Sequence, residues 1–145
     1  MNRTSMKAAI TVALSLAGGV FPGVALAHDT GAQSLGKKGS ATDVWEITCS
    51  GGSQYLTMQV RDLPADKGPK VSVQLLKDRA AVNTTDPKDA DAAYSPEVRL
   101  YGGDGVYTAL VDKSGAQSEN YILDYHCEGA GEVHTGTSAI QFQNQ

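Results

Sequence analysis

Two segments of this chain alternate apolar and polar residues and end in its only two cysteines: TDVWEITC, residues 42–49, and NYILDYHC, residues 120–127. Successive side chains on a strand point to opposite faces. In the first segment Trp45, Ile47 and Cys49 share a face, with Val44, Glu46 and Thr48 opposite. In the second, Tyr121, Leu123, Tyr125 and Cys127 share one face, and Ile122, Asp124 and His126 the other. Both cysteines therefore belong to apolar faces, which predicts a Cys49–Cys127 bridge joining two sheets through a core. Closing a loop this long constrains the unfolded chain by about 4.5 kcal/mol in the chain-entropy account. A redox pair or soft-metal site would use C-x-x-C spacing, which the chain lacks.

The same alternation recurs. In QYLTMQVRDL, residues 54–63, Leu56, Met58 and Val60 oppose Thr57, Gln59 and Arg61. With the turn CSGGS before it, this segment reads as the second arm of a hairpin. KVSVQLLKD, residues 70–78, aligns Val71, Val73 and Leu75. From Arg79 to Pro96 the alternation stops, which predicts a long polar loop, either functional or mobile. EVRLY and VYTALVD resume it across the tight turn Gly102–Gly105, and a weaker strand carries Ile140 and Phe142. Seven or eight short strands, glycine turns and no helical period predict an all-β fold. Its form is an antiparallel β-sandwich of jelly-roll or immunoglobulin-like type over residues 42–145.

A different boundary lies in VALAHDTGA, residues 24–32. Arg3 and Lys7 precede an apolar run over 8–20, Pro22-Gly23 follows it, and Ala25-Leu26-Ala27 is the small-x-small pattern of a cleavage site. Residues 1–27 thus read as an export signal, too short to span a bilayer. Its removal leaves no transmembrane segment and a chain that begins at His28, periplasmic or secreted, where an oxidising environment favours the bridge. Residues 28–41, rich in Gly, Ser and Lys without apolar periodicity, read as a flexible N-terminal arm. Two of the 12 basic residues lie in the signal and none of the 16 acidic ones, so residues 28–145 carry a net charge of −6. With no basic stripe, that charge repels phosphate backbones and argues against a nucleic-acid partner.

DVWEITCSGGSQYLTMQV (43–60), GDGVYTALVD (103–112) and ENYILDYHC (119–127) follow the order of motifs in bacterial pre-peptidase C-terminal domains. Those domains open on a D-x-aromatic strand, a glycine turn and alternating apolars, then show a glycine-x-tyrosine strand and a Y-x-L strand. Over residues 43–127 the chain resembles that family. The resemblance implies a small jelly-roll-like sandwich that accompanies secreted enzymes and binds surfaces, polymers or calcium. Two departures, the lack of a peptidase in these residues and the predicted disulfide, reduce the implication to an extracytoplasmic binding module. Asp104-Gly105-Val106-Tyr107 is also similar to a tyrosine corner.

Three sets of residues carry candidate chemistry. A chain beginning at His28 can chelate copper through its α-amine, whose ordinary pKa is about 8, and its ring Nδ1. His126 or His134 would complete the site, with Asp29 or Glu132 axial, since imidazole suits copper. The plainer reading is that His28 merely follows the cut, because an unanchored arm holds no ligand rigidly. Asp86, Asp89 and Asp91, with Glu97 beyond, can gather oxygens for calcium, or else form a solvated acidic loop. Tyr55 and Tyr101, at outward positions with Gln54 and Gln59, suit a polar-aromatic surface for a glycan or protein. No G-x-S-x-G is present to mark a hydrolase.

The first expectation is therefore an exported, non-catalytic binding module for an envelope protein or polymer, with no cofactor. The second is a periplasmic copper-binding protein using His28, and the third a secreted enzyme of unmarked type.

Overall fold

The computed structural model describes residues 28–63, 68–88 and 91–145. The export signal read over 1–27 and the side chain of Asp89 lie outside the described residues. Ten strands follow in order: β1 His28–Asp29, β2 Gln33–Leu35, β3 Asp43–Ser50, β4 Tyr55–Asp62, β5 Val71–Lys77, β6 Ala80–Thr85, β7 Val98–Tyr101, β8 Gly105–Lys113, β9 Glu119–Glu128 and β10 Gly136–Gln143. They form two antiparallel sheets of five strands. One runs β1-β9-β4-β7, with β2 also paired to β9; the other runs β10-β3-β8-β5-β6. The all-β sandwich expected from alternation is what forms.

Its core is the sum of the predicted inward faces. Ile47 and Cys49 of β3, Leu56, Met58 and Val60 of β4, and Val71, Val73 and Leu75 of β5 are buried. They meet Tyr107, Ala109 and Val111 of β8 and Tyr121, Leu123 and Cys127 of β9. Full burial of each aliphatic side chain stabilises the fold by about 1.5–3 kcal/mol. Cys49 and Cys127 are bridged with Cα atoms 5.5 Å apart, tying β3 of one sheet to β9 of the other. The Tyr107 hydroxyl donates to the Gly103 carbonyl at 2.9 Å, so the tyrosine corner is present.

Three expectations are corrected. The segments around CSGGS do not form a hairpin, because β3 pairs with β8 and β10 while β4 pairs with β7 and β9. Both strands bury a full apolar face, and each satisfies the other only across the sandwich; the turn therefore arches between sheets. Gly51 and Gly52, at φ 88° and 89°, adopt a conformation that costs glycine little. Asp104 reaches back to accept from the Gly52 and Ser53 N–H groups, at 3.0 and 2.7 Å. Those N–H groups hold its carboxyl below the usual range.

The long loop expected over 79–96 is partly strand: β6 pairs with β5 and places Val82 opposite Leu75. Beyond it, the Ser95 N–H donates to Val60 O and the Val60 N–H to Ser95 Oγ, at 2.8 and 3.0 Å.

The arm over 28–41 is the third correction. β1 and β2 both add to β9, Leu35 is completely buried, and Lys113 Nζ donates to the Gly36 and Lys38 carbonyls at 2.6 and 2.8 Å. Open backbone groups along β9 supply partners that composition alone does not reveal. Across the molecule, β10 pairs with β3 along one side, with a register shift between Gln141 and Gln143, and leaves Ile140 and Phe142 exposed.

Candidate metal centre

His28, His126 and His134 come together where the arm, β9 and the β9–β10 connection meet. One ligand atom from each lies within 4.8 Å of the others, and His28 and His126 are half-buried. Among the described residues they are the one such convergence of three His, Cys, Asp or Glu side chains.

The topology brings all three to one edge of β9. β4 occupies one side of β9, pairing Thr57 with His126 and Tyr55 with Glu128. On the other side, β1 sets His28 opposite Tyr125, and an isolated bridge sets His134 opposite Glu128. His28 and His134 thus flank the same side of β9, three positions apart in register, with His126 between. The His126 ring centroid is 6.1 Å from that of His28, nearly edge-on, and 4.7 Å from that of His134.

Each histidine is held by backbone. The Thr30 N–H donates to Leu123 O at 3.0 Å, and the Leu123 N–H donates to Thr30 Oγ1 at 3.1 Å, which clamps β1. The connection carrying His134 turns through Gly131 and Glu132 at φ 71° and 59°. It closes by bonds from Gly129 N–H to Val133 O and from Thr135 N–H to Cys127 O, both 2.8 Å. A left-handed backbone is uncommon for a residue other than glycine, and the Glu132 carboxylate is anchored by Arg99 at 3.3 Å.

The ring nitrogens are not equivalent. His126 Nε2 lies 3.1 Å from Asp124 Oδ1, its neighbour on the outward face. A carboxylate only accepts, so in the neutral ring Nε2 carries the hydrogen and Nδ1 the lone pair. Nδ1 of His126 is buried without a hydrogen-bond partner, and so is Nδ1 of His28. Buried polar atoms left unmatched are rare and costly. A cation shared by imidazoles removes that cost, and a carboxylate behind a ligating histidine is the usual support for it. Three nitrogens at about 2.1 Å from one ion stand about 3–4 Å apart, so binding draws the rings together by about 1 Å or somewhat more. Tyr125, its ring 6.2 Å from that of His28, forms the inner wall; burial first, then Asp29 and Asp124, push its phenol up. The fixed negative charges of Asp29 and Asp124, opposite each other in register, favour a cation.

Other candidate residues fare differently. Asp29 accepts from the Gly31 N–H at 2.7 Å and Glu132 takes Arg99, so neither axial candidate joins the three histidines. Asp86 is buried, accepting from the Asp62 and Lys88 N–H groups at 2.8 and 3.1 Å, and Asp91 accepts from the Ala93 N–H at 2.8 Å. Asp86 is thus an internal brace and not part of a solvated acidic loop. Tyr55 is buried, not outward and free. Arg99 lies 4.4 Å from its ring centroid, the Tyr101 ring packs at 5.1 Å, and its hydroxyl donates to Glu128 at 2.7 Å. That bond to Glu128 is the main reason its phenol is pushed up to about 12. Tyr101 remains 67% exposed.

Asp124 is the site residue that sequence reading did not assign. Its i, i+2 spacing to His126 on one strand face was the available signal, and it is a spacing common to any strand. Of the expected likeness to pre-peptidase C-terminal domains, what the structure shows is an all-β two-sheet sandwich. No protein-family model matches the chain, and neither a curated protein nor a solved structure matches it.

Proposed function

We propose that this protein is an exported, non-catalytic copper-binding β-sandwich, with His28, His126 and His134 as ligands. The observation that carries the reading is the convergence of three imidazoles within 4.8 Å on backbone held by β9. The unmatched Nδ1 atoms of His28 and His126 support it. An all-nitrogen donor set favours copper, which heads the divalent first-row series in affinity for such ligands. The Cys49–Cys127 bridge supports an oxidising compartment. In this reading the pre-peptidase C-terminal pattern contributes a binding scaffold whose ligand is a metal ion. The polar-aromatic surface is the weaker candidate because Tyr55, one of its two rings, is covered.

The test is a Cu(II) titration by calorimetry of the processed protein beside His126→Ala and His134→Ala. Each variant is expected to lose at least about tenfold in affinity, the lower bound for disturbing a metal site. Equal binding by all three proteins would remove the copper reading.

A further inference from the structure

We infer that the copper site is completed by cleavage of the Ala27–His28 bond, so that export processing gates metal binding. The inference rests on the reading of the three histidines as a copper site and adds a fourth donor, the α-amine of His28. Three features of the molecule converge on it.

His28 is the first residue of β1, paired to Tyr125 and clamped two residues on through Thr30. Its backbone nitrogen is therefore held on the same rigid strand as its ring. The ring nitrogen left without a hydrogen-bond partner is Nδ1. That is the nitrogen through which a histidine closes a compact chelate ring with its own α-amine. The sequence Ala25-Leu26-Ala27 then places the expected cut immediately before His28.

The chemistry distinguishes the two forms. In the precursor the His28 nitrogen is an amide, its lone pair delocalised into the Ala27 carbonyl, and only three imidazoles remain. Hydrolysis adds water across that bond: Ala27 departs with a carboxylate and His28 keeps an amine. Cu(II) prefers a tetragonal arrangement of nitrogen and oxygen donors, and three imidazoles plus the amine supply four nitrogens. Asp29 and Glu132, the carboxylates expected as axial ligands, are engaged by the Gly31 N–H and by Arg99. The full site thus exists only after the chain has been cut.

The experiment compares three proteins: the chain beginning at His28, the same chain with one alanine before His28, and the first with His126→Ala. Intact mass fixes each N-terminus and circular dichroism checks each fold. Cu(II) affinity is measured by competition with a chelator, and coordination by electron paramagnetic resonance. The expected result is a loss of about 100-fold or more on adding the alanine, the usual scale for uncoupling a linked donor. One nitrogen should also disappear from the hyperfine pattern. Equal affinity and equal spectra with and without the alanine, together with weakened binding in His126→Ala, would overturn the gate and leave the three-histidine site standing. Binding indifferent to both changes would overturn the gate and the copper site together.

Discussion

The two faces of β9 solve opposite problems with similar residues. Inward, Tyr121 accepts from Trp45 Nε1 at 2.9 Å and donates to Asp43 at 2.7 Å, and Asp43 also receives Gln141 and the Gln145 N–H. This network is closed: the Tyr121 hydroxyl, the indole nitrogen and the Asp43 carboxylate all have partners. Outward, three residues along the strand, Asp124 fixes His126 but leaves its Nδ1 with none. A closed buried network rigidifies a fold; an open one leaves a lone pair with no partner in the chain, which is what the copper proposal uses. Polarity is common to both faces, and the difference lies in whether the hydrogen bonds add up.

The comparison can be broken most forcefully from the inside. Replacing both bridge cysteines by alanine is expected to lower stability by about 2–5 kcal/mol, read from the urea midpoint. A smaller change, Tyr121→Phe, leaves Trp45 Nε1 unmatched and should cost about 1–3 kcal/mol. Copper affinity should stay as it was, measured by the same chelator competition; a matching loss of affinity would mean that the two faces are not independent.

The outward counterpart is Asp124→Asn, which keeps the shape and removes the charge behind His126. Copper affinity is expected to fall about 10–100-fold while the urea midpoint of the metal-free protein does not move. The smallest effect is at high pH. Burial above all, then Asp43, pushes the Tyr121 phenol up, and Glu128 pushes Tyr55 up to about 12. The fold therefore favours the neutral phenols. Their contribution is intact below about pH 10, the ordinary phenol value, and is lost as pH rises through the raised values. The urea midpoint should decline between pH 10 and pH 12, and Tyr121→Phe should decline less steeply; an identical slope would remove Tyr121 as the cause.

Alternation made β3, β4, β5, β8 and β9 legible, with their inward faces and the bridge, because each strand carries its own apolar period. Where a strand borrows its stability, the period is missing. Leu35 is a lone apolar residue among polar ones, and β2 forms because β9 offers it hydrogen bonds. Ala80–Thr85 is an edge strand with little to bury, so AAVNTT reads like loop. The glycine turn before β4 was visible, but the same turn serves a hairpin or an arch, and only pairing partners far along the chain decide between them. All three histidines were named from sequence. Their convergence depends on the β1 register and on the bridge at Glu128, which no local pattern encodes.

The register shift in β10 has a consequence beyond packing. β10 is the outermost strand of its sheet, eight residues long, with Ile140 and Phe142 bare. A flat edge of that kind templates strand addition by a second chain and, repeated, fibre growth. The irregularity at Gln141–Gln143 interrupts the β10–β3 ladder, and a bulge of that kind twists an edge and works against strand addition.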